Sequence, residues 1–108
     1  DKKYEKTLIN SSELGNVNIT LGALDNLVKK VVSRREGIAD INTKLKDGES
    51  GLEINLKIKI YSDYIIHDLA DELQKVVKSY LEDTTGVQVN RVSILINEIT
   101  SNEIKEIE

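Results

Sequence analysis

Leu52, Ile54, Leu56, Ile58 and Ile60 occupy every second position, and Glu53, Asn55, Lys57, Lys59 and Tyr61 fill the places between. A side-chain period of two belongs to an extended strand, whose successive residues point to opposite faces. This strand has one aliphatic face that must be buried and one polar face that can meet water. A sheet covered on one side reads this way. The rest of the chain has to supply the cover.

Two segments can do so. Leu24, Leu27, Val28, Val31 and Val32 recur at helical spacing after Thr20, whose hydroxyl suits an N-cap. Arg34 and Arg35 close that helix with the charge its negative end favours, and Gly37 stops it. Ile66, Leu69, Ala70, Leu73, Val76, Val77, Tyr80 and Leu81 form a second apolar stripe, which Gly86 ends. Asp63 and Asp68 lie at or near its start, where negative charge is favoured. Asp71 with Lys75, and Lys78 with Glu82, are i,i+4 pairs that add about 0.2–0.5 kcal/mol each to the exposed side.

The remaining pattern is extended. Val17 and Ile19 alternate with Asn16, Asn18 and Thr20, and Ile41, Thr43 and Leu45 alternate with Asn42, Lys44 and Lys46. The turn at 47–51 carries two glycines and joins the latter segment to 52–60 as a hairpin. Val87 and Val89 share one phase, whereas Val92, Ile94 and Ile96 share the other. A bulge or turn near Asn90 and Arg91 reconciles them. The order is β-α-β-β-α-β. It predicts an α+β fold, a two-layer sandwich with two helices on one face of a four-stranded antiparallel or mixed sheet. Residues 1–14 lack sustained periodicity and read as a flexible N-terminal arm or linker, 15–99 as the domain, and 100–108 as a short acidic tail. Thr100 and Glu103 there resemble a capping box, predicting one or two helical turns.

Composition narrows the chemistry. With 108 residues, 39% hydrophobic and 31% charged, the chain suits one folded domain with a modest core. The absence of cysteine excludes disulfides, thiolate metal sites and thiol catalysis. A formal net charge of −4 argues against polyanion binding by the molecule as a whole. No apolar run reaches the roughly 20 residues that span a bilayer, and no signal peptide is visible. The first residue is Asp1 and not Met, so a membrane segment upstream stays compatible with the sequence.

The residues that could carry a function lie on the open face of the sheet. Alternation sends Lys44, Lys46, Lys57, Lys59 and Arg91 away from the helices, with Tyr61 nearby. Such a face serves as a protein contact, with Lys44, Lys57, Lys59, Tyr61 and Arg91 as the candidate residues. The alternative is single-stranded nucleic-acid binding, which needs aromatic stacking that only Tyr61 could supply. Lysines also discourage edge pairing, so a plain solvated face is the competing reading. Gly48-Glu49-Ser50-Gly51 has the letters of a KH-domain loop, but it joins two strands, beside acids that repel phosphate. His67, with Ser62, Asp68 and Asp71 near it in sequence, lacks any oxyanion-hole motif. Asp63, Asp68, Asp71 and Glu72 lack cation-loop spacing. The two sequons, at Asn10 and Asn18, have no secretory context. No nucleophile, base or metal constellation emerges, and the expectation is a non-enzyme with no cofactor and no small-molecule substrate.

Several runs resemble the alkaline shock protein family of bacteria. They are 15–20 (Gly-Asn-Val-Asn-Ile-Thr), 23–27 (Ala-Leu-Asp-Asn-Leu), Gly37-Ile38, the alternating strand, and 69–96. Within the last, Leu73-Gln74-Lys75-Val76-Val77-Lys78 and Thr85-Gly86-Val87-Gln88-Val89 are the most specific parts. The chain is most similar to the cytoplasmic domains of the family's membrane-anchor branch. One departure is Ile65-Ile66-His67-Asp68, where the family has an Asn-Ile-Pro-Glu type of helix start. The resemblance implies a cytoplasmic interaction or scaffold domain, at the inner face of the cell membrane and active in cell-envelope stress. It implies self-association or recruitment of a homologous family member, with membrane contact indirect or through a segment outside this chain.

Overall fold

The computed structural model describes residues 5–101. In chain order the elements are β1 (Lys6–Ser12), β2 (Gly15–Thr20), α1 (Leu21–Ser33), β3 (Ile38–Gly48), β4 (Gly51–Tyr61), α2 (Ile66–Thr85) and β5 (Val89–Thr100). The alternating run occupies β4, the middle strand of a three-stranded sheet ordered β3-β4-β5. β3 and β4 are antiparallel, closed by a tight turn at Glu49 and Ser50, with Gly48 opposite Gly51. β5 returns parallel to β4 after the α2 crossover, as a parallel neighbour must.

Leu52, Ile54, Leu56, Ile58 and Ile60 are all buried beneath the helices. Each buried aliphatic side chain contributes about 1.5–3 kcal/mol. Leu24, Val28 and Val32 of α1 and Leu69, Leu73, Val77 and Leu81 of α2 complete the core, the helical spacing read from sequence. Thr20 caps α1 by accepting a hydrogen bond from the Ala23 amide at 3.1 Å. Gly86 ends α2 at φ +79°, and its N–H donates to the Glu82 carbonyl at 2.9 Å. The phase change in β5 is a bulge: Leu52 faces Val89 and Glu53 faces Arg91, so Asn90 is the additional residue. A second irregularity skips Asn97, between the Ile58–Ile96 and Lys59–Glu98 pairs.

Three expectations need correction. The fold is α+β with two helices, but its five strands form a three-stranded and a two-stranded sheet rather than one four-stranded sheet. The strand at Gly15–Thr20 spends its backbone hydrogen bonds on β1 and does not join the main sheet. The segment read as an arm, 1–14, therefore contains a strand at Lys6–Ser12. Its residues are mostly polar, and the register slips between Leu8 and Asn10, so no period of two survives. Backbone groups pair regardless of side-chain pattern, which is why the sequence is silent there. At the other end Thr100 is a strand residue opposite Tyr61, not a helix cap. The acidic tail expected beyond it, with Glu103 of the capping box, lies outside the described residues.

Polar side chains tie the layers together. The Thr43 hydroxyl of β3 donates to the Asp25 carboxylate of α1. On α2, Gln74 Nε2 donates to the Val92 carbonyl at 2.9 Å and Lys78 Nζ to the Val89 carbonyl at 3.3 Å. Glu82 Oε2 accepts from the Val89 N–H at 3.0 Å. Three side chains one turn apart thus satisfy backbone groups at the start of β5 that have no strand partner, a cover for a sheet edge.

Candidate functional site: the open face of the sheet

The face of the sheet turned away from the helices is built of four rungs across β3, β4 and β5. Lys46, Glu53 and Arg91 form the first, and Lys44, Asn55 and Ser93 the second. Asn42, Lys57 and Leu95 form the third, and Asp40, Lys59 and Glu98 the fourth. Tyr61, half-buried, follows Lys59 on the same side by alternation and lies opposite Thr100. The five residues singled out from sequence are therefore on one face, spread from one end to the other.

Their electrostatics are less uniform than the lysine pattern suggests. Lys59 forms an ion pair with Glu98 at 3.4 Å. Glu53 sits between Lys46 and Arg91 in register, and Asp40 closes the fourth rung. The two central rungs carry no acid. Among the described residues no ion pair involves Lys44 or Lys57, both of which are exposed. Asn42, Lys44, Asn55, Lys57, Ser93 and Leu95 border a shallow groove of about 490 Å³ here. Leu95 is 60% exposed, a large apolar side chain on a strand whose neighbours face water. The functional signal thus lies at the acid-free centre of the face. Sequence reasoning named Lys44 and Lys57 there but missed Leu95, although alternation from Arg91 through Ser93 already put it on this face.

A second cleft, about 620 Å³, lies where the end of α1 meets the start of α2. Arg35 forms an ion pair with Glu72 across it, and the Tyr64 hydroxyl donates to Glu36 at 3.4 Å. Partial burial, then the Glu36 carboxylate and this hydrogen bond, then Asp63, raise the Tyr64 hydroxyl above its ordinary pKa. Charge pairing across the cleft joins the two helix ends.

The other motifs resolve into structure. The Gly48–Gly51 turn is a strand hairpin, and beside it the Leu52 N–H donates to the carbonyl of Gln88, just before β5, at 2.9 Å. His67 is almost fully exposed and meets Asp68, its neighbour in sequence, at 3.1 Å. Among the described residues no three His, Asp or Glu side chains are grouped to hold a metal ion. No helix among them is long and apolar enough to cross a membrane.

Comparison with solved structures finds the same fold in variants of the MamM CTD. One single-substitution variant matches at a TM-score of 0.53 and 11% identity, covering 72% of this chain and 96% of that one. A double-substitution variant gives 0.53 and 12%, with 78% and 96% covered. A further variant, in a nickel form, gives 0.51 and 12%, with 76% and 99% covered. Identities this low speak for the fold alone. No curated protein matches the chain significantly. The model of a family described by its cell envelope-related function matches residues 11–101, which takes in the three-stranded sheet, both helices, β2 and the last two residues of β1. On that match the chain belongs to the alkaline shock protein family.

Proposed function

We propose that this domain is a non-enzymatic interaction module of a cell-envelope stress scaffold. It works at the cytoplasmic side of the membrane by associating with itself or with a homologous family member through the open face of its sheet. The observation that carries this reading is the centre of that face. Among the described residues Lys44 and Lys57 stand without an ion pair, in a groove that they share with the exposed Leu95 and that no described element covers. An apolar contact ringed by charge gives affinity at its centre and orientation at its rim.

Light scattering behind a sizing column, over a wide concentration range, tests it. Mass should rise with concentration for the wild type and stay at the monomer for Lys44→Glu/Lys57→Glu. A double variant that associates as the wild type does would remove the assignment. The exposed cations also keep single-stranded nucleic acid as the second reading. Acids on the outer rungs and a lone Tyr61 weigh against it, because stacking platforms need several aromatics. Binding of mixed single-stranded RNA at low salt, lost on Tyr61→Ala, would favour it over the first.

A further inference from the structure

The two-stranded sheet has a root and a tip of different character. At the root, Thr7 is buried, Ile9 and Ile19 pack against the core, and the Leu21 N–H donates to the Glu5 carbonyl at 2.6 Å. The tip is the turn through Glu13 and Leu14, with Ser12 opposite Gly15. It is ordered locally: the Leu14 N–H donates to Ser12 Oγ at 3.1 Å. Yet among the described residues nothing packs against its apex. Leu14 is 100% exposed, and a Cβ placed on Gly15 would have no atom within 4 Å. The described molecule measures 67 × 24 × 20 Å, so its long axis is far longer than the other two.

A leucine held fully in water contributes nothing to folding, and a bare two-stranded hairpin is marginal by itself. The chemistry of the tip points to its partner. Residues 10–18 contain no lysine or arginine and one charge, Glu13. An acidic tip is repelled by an anionic lipid surface, which attracts lysine and arginine. What suits it is a groove with an exposed leucine and cations that have no ion pair among the described residues, and the centre of the open face is one.

Resting on the self-association reading above, we propose that the hairpin tip of one copy docks into the open-face groove of a second copy. Leu14 lies against Leu95, and Glu13 meets Lys44 and Lys57. Tip and groove are different surfaces, so the contact is heterologous and can repeat from copy to copy. A tip-sized contact falls at the small, transient end of protein interfaces, which suits an assembly that grows with concentration.

The chain has no cysteine, so single cysteines report the contact cleanly. Leu14→Cys and Leu95→Cys chains are mixed and oxidised, and each is oxidised alone. The mixture should form a disulfide-linked dimer at least tenfold faster than either variant by itself. Faster self-linking of Leu95→Cys would mean a face-to-face contact and overturn the proposal, as would equal rates in all three samples. Leu14→Asp should lower the mass by light scattering as far as Lys44→Glu/Lys57→Glu does. An equimolar mixture of those two should recover a dimer, since one supplies a groove and the other a tip. If Leu14→Asp associates like the wild type while the groove variant does not, the tip assignment fails and the open-face reading stands. If neither variant changes the mass, both fail. All these positions are exposed, and unchanged thermal unfolding confirms that the variants fold.

Discussion

Gly37 and Gly86 both have positive φ, +98° and +79°, but their surroundings differ. A methyl group on Gly86 would meet only Ile9 Cγ2 at 3.9 Å, ordinary contact, so Gly86→Ala costs the left-handed strain alone, about 1–2 kcal/mol. On Gly37 the same group would come within 3.0 Å of Leu69 Cδ2 and of the Tyr64 ring. Gly37→Ala should therefore cost more than about 2 kcal/mol, read as the larger fall in urea midpoint at unchanged slope. Tyr64, packed there, makes stability depend on alkaline pH. Its raised pKa means that the folded protein keeps a proton the unfolded chain loses near pH 10. The stabilisation is complete below about pH 10 and is lost as pH rises through the folded value. Tyr64→Phe should flatten that part of the thermal midpoint's pH profile, while an unchanged profile would mean that other groups govern alkaline unfolding.

At the scale of elements, the pairing of helix and strand is the instructive feature. Gln74, Lys78 and Glu82 look from sequence like an exposed helix face, with Lys78 and Glu82 as a surface ion pair. The pair forms, with nitrogen and oxygen 4.0 Å apart, and both side chains also reach the backbone of β5. Glu82→Ala should cost about 1–2 kcal/mol and speed hydrogen exchange at the Val89 amide, and Glu82→Gln, which keeps an acceptor, should lose less. Exchange at an unchanged rate would show that water replaces the carboxylate without loss. The β1–β2 hairpin is the converse case, with a packed root and a tip free of contacts. Its distal amides, about residues 10–17, should exchange orders of magnitude faster than those of β4, and slow down as concentration rises if the tip docks.

At the scale of the molecule, one aliphatic core bears the stability and one open face is left over. Truncating Ile58 to alanine in that core should cost about 2–5 kcal/mol of a total near 5–15. Charge reversal on the open face should leave the melting temperature within a few degrees of the wild type. Association through Glu13, Lys44 and Lys57 should weaken as salt rises and the Debye length shrinks from about 10 Å at 0.1 M to about 3 Å at 1 M. Sequence alone determined the helices, the β3–β4 hairpin, the buried face of β4 and the change of phase in β5. Each is dictated by local periodicity, a cap or a glycine stop, and residues within a few positions decide it. Tertiary structure decided which strands share a sheet, that Lys6–Ser12 is a strand at all, and which lysines keep free charge. Partnership between strands that no tight turn joins is made by backbone groups common to every residue, so no local side-chain pattern records it. The charge left on a lysine depends on the residue facing it across the sheet: Glu98 faces Lys59 and Leu95 faces Lys57, a difference set by the skipped Asn97.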